Sequence, residues 1–388
     1  MENDRLRQPL LAQVYVIMGD YNGRSGDTVG PTNTTIRLAA VGDILLSQGG
    51  IAPQANSSLF AEVQHLLRQC DIVFGNLECT LGGSQLAPTE PRVIADESLV
   101  RQIGAVPFHV VSLANNHMFD ALQDGFHRLR GVLDSLNVKW FGAGLNLQQA
   151  KQPVILARNG QTVAFIGAAD TRSGPYRFAD DAGWGVRPLH ITSLCDQIRQ
   201  LRTQVDHVIV SLHWGEEHFL IPAPLQVEQA RQLAQAGATM VLGHHPHVLQ
   251  GLEWRQNTPV IYSLGNLVAC DIPFTDGDWI RWDRLHRTGA IVIAEIGPRG
   301  VHSLQQIPTY FDGATVQIDL SRFAQRRIAR ANLALQRGVS LGRYRREHLW
   351  VKTIRPALTH LRWRHLKNLR LSQIRHMLAQ AAAAYQTH

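Results

Sequence analysis

Six short apolar stretches in this chain each stop at a glycine or a polar side chain. Ile36–Val41 meets Gly42-Asp43, Asp71–Phe74 meets Gly75-Asn76-Leu77-Glu78, and Val110–Ala114 meets Asn115-Asn116-His117. Val208–Leu212 meets His213, Thr239–Leu242 meets Gly243-His244-His245-Pro246-His247, and Val260–Leu264 meets Gly265-Asn266. Short continuous apolar runs predict strands of a parallel sheet covered on both faces. Between them, Leu59–Arg68, Gly125–Leu136 and Leu225–Ala236 have the spacing of amphipathic helices, the last closed by Gly237. Val154–Ala157 and Thr162–Ile166 flank Asn159-Gly160, a strong hairpin signal. Ala290–Ile296 is expected to pair with Val301–Ile307 across Gly297-Pro298-Arg299-Gly300. Strand-helix units followed by hairpins predict one α/β domain over residues 34–325. Residues 1–33 read as a loose leader with at most one short strand, and 326–388 as a basic helical tail.

Composition narrows the class. With 45% hydrophobic residues, 32 Gly and 17 Pro among 388 residues, the chain reads as globular and rich in turns. No apolar run approaches the ~18 residues of a membrane span, and no signal peptide is evident, so a cytoplasmic or membrane-peripheral protein is expected. The four cysteines show no C-x-x-C spacing, which sets aside a thiolate zinc site and favours a reducing compartment. Charge is uneven: residues 321–388 hold 15 of the 38 Lys and Arg and a single acid, Glu347. That tail carries a net charge near +14, and the rest of the chain one near −7. Such a tail suits peripheral contact with an anionic membrane or polymer. Nucleic acid ranks last as its target, since no recognisable nucleic-acid module accompanies it.

Ligands of open α/β sheets bind beyond the carboxyl ends of the strands. Here those ends carry Asp43, Glu78, Asn116, His117, His213, His245, His247 and Asn266. Pro246 is expected to keep His245 extended, which would put His245 and His247 on the same side about 6.6 Å apart. Carboxylates, an amide and imidazoles without cysteine suit Mn²⁺, Zn²⁺ or Fe²⁺. The donors outnumber what one ion needs, so two divalent ions roughly 3.5–4 Å apart are expected, with Glu78 bridging them.

These strand-end motifs, together with Leu113–His117, Ser211–Glu217 and Tyr262–Asn266, resemble the successive motifs of the CapA capsule-synthesis family. That family is associated with poly-γ-glutamate and belongs to the calcineurin-like metallophosphatase superfamily. The resemblance implies a four-layer α/β/β/α sandwich. It implies that Asp43 and His247 hold one ion, that Asn116, His213 and His245 hold the other, and that Glu78 is shared. His117 would protonate a leaving group, with Asp120 orienting it. Asn76, Glu217, His244 and Asn266 would support these ligands or touch substrate. Leu45 stands where the superfamily usually has a histidine, and Asn76 and Glu78 replace the usual pair of aspartates. The implied activity is hydrolysis of a phosphoester or handling of an anionic polymer; the alternative is a metal- or polymer-binding component of capsule assembly without turnover.

Overall fold

The structure, a computed structural model, describes residues 34–50, 58–174 and 177–356 together with the strand Tyr15–Met18. The remainder of the expected leader, and of the basic tail beyond 356, lies outside the described residues. In chain order the strands of the two large sheets are β1 (Tyr15–Met18), β2 (Ile36–Leu45), β3 (Ile72–Leu77), β4 (Val110–Ser112), β5 (Lys139–Phe141), β6 (Val154–Arg158), β7 (Gln161–Ala169) and β8 (His207–His213). They continue as β9 (Met240–His244), β10 (Leu252–Arg255), β11 (Thr258–Ile261), β12 (Asn266–Ala269), β13 (Thr288–Gly297), β14 (Gly300–Phe311) and β15 (Val316–Ile318). One sheet has the order β1-β14-β13-β2-β3-β4-β5, with β12 also on β2 and β15 on β14; the other runs β10-β11-β9-β8-β7-β6.

Alternation along the strands sorts the core. On β2, Ile36, Leu38 and Ala40 point at residues of the second sheet such as Phe165, Ile209 and Leu242, with Phe74 and Phe141 stacked beside Phe165. Ala39 and Val41 point the other way, onto Phe126, Leu129 and Leu133 of α1 (Leu122–Ser135). Ile166, Val208 and Val241 of the second sheet bury against α2 (Ile191–Leu201) and α3 (Pro224–Ala236). The two sheets therefore face each other, and helices cover their outer faces. The expected hairpin forms between β6 and β7, with Asn159 and Gly160 both at positive φ.

Several boundaries differ from those expected. The helix expected over Leu59–Arg68 is regular only at Gln64–Arg68, the preceding residues forming turns. The last motif strand ends at Ile261, after which Tyr262–Gly265 crosses from the second sheet to the first. That crossing is tight. A Cβ on Gly243 would lie 2.0 Å from the Tyr262 carbonyl oxygen, and one on Gly42 would lie 2.0 Å from that of Gly265. Glycine stands at these two positions, inside β2 and β9, because another backbone lies against each.

The boundary expected after residue 325 falls inside α4 (Arg322–Gln336). Ala324, Ile328, Ala331 and Leu335 recur at helical spacing and are buried, Leu335 in the core over the second sheet and Ile328 against Leu249 and Ala290. α5 (Leu341–Leu349) follows, and its Tyr344 and His348 rings lie 5.2 and 5.8 Å from Phe219. Among the described residues no helix is long and apolar enough to cross a membrane. Ile328→Ala is expected to cost about 2–5 kcal/mol in urea unfolding, whereas a helix merely resting on the surface would lose under about 0.5.

Candidate metal centre

The crossing segment brings the carboxyl ends of both sheets together. On the first sheet Asp43 lies in register between Asn76 of β3 and Asn266 of β12. The β2–β3 register shifts between Ala40 and Asp43, a bulge that re-aims the strand end. On the second sheet His213 is in register with His244. His244 Nδ1 lies 3.0 Å from Asp43 Oδ1 and so holds that carboxylate. Asn76 Nδ2 donates to Asp43 Oδ1 at 2.9 Å and to Glu78 Oε2 at 3.4 Å.

Asp43, Glu78, His213, His245 and His247 are all buried. Ligand atoms of Asp43, Glu78 and His213 come within 4.8 Å of one another, and so do those of Glu78, His245 and His247. Glu78 is common to both groups. These two groups cut across the assignment the resemblance implies, whereas His247 Nδ1, 3.3 Å from Asp43, and His213 Nε2, 2.7 Å from the Asn116 amide oxygen, follow it. Three buried polar atoms of this cluster, Glu78 Oε1, His244 Nε2 and His245 Nδ1, have no hydrogen-bond partner. A buried carboxylate oxygen and imidazole nitrogen left in this way are costly unless something binds them, and a divalent ion suits both.

The turn carrying His245 and His247 is not extended. Both residues adopt positive φ, +95° and +55°, and their ring centroids are 5.9 Å apart. The preference of a residue before proline is overridden here because the His245 N–H donates to Asp43 Oδ2 at 3.1 Å and the Pro246 carbonyl accepts from His218 N–H at 2.8 Å. Asn266 opens β12, and its Oδ1 is 3.0 Å from His247 Nδ1. Asn115 accepts from the His117 N–H at 3.2 Å and donates to the Leu77 carbonyl at 2.8 Å. Trp214 is fully buried, with its indole N–H on the Tyr262 carbonyl, and serves packing.

His117 and Asp120 lie beside this cluster. His117 Nδ1 is 2.7 Å from Asp120 Oδ2, and the same oxygen accepts from the Val93 N–H at 2.7 Å. With Asn116 and Glu217 they line a cavity of about 170 Å³. A larger cavity of about 400 Å³ beside Trp254 opens elsewhere, away from these ligands.

Buried charges at the centre compensate one another. Burial disfavours the Asp43 carboxylate, but hydrogen bonds from His244 and His247 hold it well below its usual range. Burial pushes Glu78 well above its own. Burial, with the neighbouring His245, holds His213 well below the usual imidazole range, and burial lowers His245 to about 4. His247 goes the other way: burial is outweighed by Glu78 and Asp43, which hold it up to about 10.

The family described as bacterial capsule synthesis protein PGA_cap matches residues 37–270, the span that carries all the motifs above. This chain belongs to that family. PGA_cap similarity extends beyond the match: the chain is 30% identical over 291 residues to the PGA biosynthesis protein CapA of Bacillus subtilis, covering 73% of this chain and 74% of that one. It is 28% identical over 288 residues to the capsule biosynthesis protein CapA of Bacillus anthracis, covering 71% and 67%. Among solved structures, a phosphatase from Mycoplasma pneumoniae overlaps 74% of this chain and 95% of its own, with a TM-score of 0.46 and 14% identity. This PGA_cap member also places residues at the site that sequence patterning misses. Trp282 stands 5.4 Å from the His247 ring, and His286 lies behind it. Neither ends a motif strand, so no periodicity points to them.

A ligating imidazole must be free of its second proton, so in the role expected of it His247 would release one on binding an ion. Metal affinity is therefore expected to rise with pH between about 6 and 9, by roughly tenfold per unit for one displaced proton. Mn²⁺ titrations at several pH values check this, and an affinity independent of pH would contradict it.

Proposed function

We propose that this PGA_cap member is a hydrolase that uses two divalent ions, Mn²⁺, Zn²⁺ or Fe²⁺, to cleave a phosphoester. The observation that carries this reading is the His117–Asp120 pair, set beside the ligand residue Asn116 in a cavity next to the buried cluster. Asp43, Glu78, Asn116, His213, His245 and His247 would hold the ions. Bound there, the ions would supply positive charge against the oxygens that become negative during cleavage. The protein's own contribution is positional and protonic. Asp120, anchored by the Val93 N–H, holds His117 through Nδ1; the His117 Nε2 lies 3.1 Å from the Asn116 amide nitrogen and would exchange that contact for the leaving oxygen to which it passes a proton. Asn76 and His244 fix Asp43, and Asn266 fixes His247, so the ligands are pre-set.

The relatives named for capsule and PGA biosynthesis suggest an anionic polymer or its phosphoester precursor as the substrate class. One observation favours a second reading. Leu45, fully buried in the core, occupies the position of a usual histidine ligand and offers no donor. A site with one weaker ion would bind metal or polymer without turning over. His117→Ala is expected to lower the rate on a generic phosphodiester by about 10²–10⁴-fold with metal content unchanged, while Glu78→Ala and His245→Ala lower both. A wild-type protein fully loaded with metal and inert on a panel of phosphoesters would replace hydrolysis by the binding reading.

Peripheral contact with an anionic bilayer is proposed for the basic C-terminal region. Arg326, Arg330, Arg337 and Arg346 are exposed on it, and the segment Leu361–Leu371 is more basic still. Replacing these four arginines by glutamate is expected to weaken salt-sensitive binding to anionic liposomes; unchanged binding would remove the role.

A further inference from the structure

His286 is buried beside the ligand cluster, against His218 and Trp282, and lies outside the strand-end motifs in sequence. Asp283 Oδ1 accepts from both its Nδ1–H, at 2.6 Å, and its backbone N–H, at 3.1 Å. That leaves Nε2 to accept from His218 Nδ1–H at 2.9 Å. His218 Nε2 lies 3.6 Å from Glu217, whose side chain reaches the cavity that His117 lines. The His286 backbone carbonyl accepts from Asn266 Nδ2 at 3.0 Å, and Asn266 Oδ1 is 3.0 Å from His247 Nδ1. Trp282 fills the angle between them, its ring 5.5 Å from His286 and 5.4 Å from His247. Asp283 and His286 both lie beyond residues 37–270, the span of the family match.

We propose that His286, held by Asp283, is a positioning residue that sets the His247 ring through Asn266. The proposal rests on the reading of the cluster as a metal centre. Two contacts make a role in packing alone insufficient: both ring nitrogens of His286 are engaged, and its backbone carbonyl holds the amide that faces the ligand. An outer partner of this kind fixes the direction of a ligand's lone pair, and losing it costs 10- to 100-fold in metal affinity in comparable sites.

The test is Mn²⁺ affinity of the full chain by calorimetry, with thermal unfolding of the metal-free protein recorded for each variant. His286→Leu keeps apolar bulk against Trp282 and removes both ring hydrogen bonds; His286→Asn keeps an amide donor where Nδ1 meets Asp283. Affinity is expected to fall about tenfold or more in His286→Leu and to stay within about threefold of wild type in His286→Asn. Asp283→Ala, at a half-exposed position where folding is not at stake, is expected to lower affinity as well. Combined with His286→Leu it should add little, because the two act through one ring. Wild-type affinity in both His286→Leu and Asp283→Ala overturns the proposal and leaves the metal centre standing. A wild-type chain that takes up none of Mn²⁺, Zn²⁺ and Fe²⁺ overturns the metal centre and this proposal together. Should His286→Leu fail to fold, Asp283→Ala alone decides.

Discussion

Two carboxylates, Asp43 and Glu78, are fully buried where the ends of two sheets meet, and the rest of the molecule is arranged around making that tolerable. An isolated buried carboxylate would be too costly to keep ionised. The first sheet supplies the acids on adjacent strands and cannot neutralise them itself. The compensating imidazoles come from β8, from the end of β9 and from the turn after it. Each sheet thus leaves a polar debt at its rim that only the other can settle.

The segment Tyr262–Gly265 makes that exchange possible. It hydrogen-bonds to both sides, from Leu264 N–H to the Gly243 carbonyl and from Asp43 N–H to the Gly265 carbonyl. Because it lies directly on Gly42 and Gly243, the strand ends that bear Asp43 and the histidines are held at backbone distance. Leu45 and the apolar core below are then free of polar work. The site is therefore a consequence of the crossing, and the crossing requires glycine at two motif positions that could otherwise pass for ordinary turn residues.

Much of this was legible in the sequence for one reason: parallel strands buried on both faces read as uninterrupted apolar runs, and each run gives way to polar residues at the sheet's carboxyl edge. Asp43, Glu78, Asn116, His213, His245 and His247 could be picked out in that way, and the order of their motifs pointed to the family. The rest depended on contacts between distant segments. Local preference made His245 extended; hydrogen bonds to Asp43 and from His218 bend it instead. Val260–Leu264 read as one strand because nothing in its apolar composition marks the switch of sheets at Tyr262. Asp283 and His286 follow no apolar run, so only three-dimensional proximity reveals them. In α4 the spacing of Ala324, Ile328, Ala331 and Leu335 did carry the packing signal, but the surrounding arginines masked it with charge.

The left-handed backbone at His245 and His247 has a further consequence. Histidine at such φ values is held there against its own preference, at a cost on the order of 1–3 kcal/mol for each residue. Glycine would sit there more comfortably, but it has no imidazole to offer. The turn consequently stores a small conformational tension whose release is opposed by Asp43, His218 and whatever the imidazoles grip. Without anything bound, the turn would be the first part of the sheet edge to loosen, and its amide protons would exchange with solvent ahead of those in β8 and β9. Local softness would then coincide with the densest set of candidate ligands, and an ion gripped there would stiffen that edge beyond what the fold alone provides.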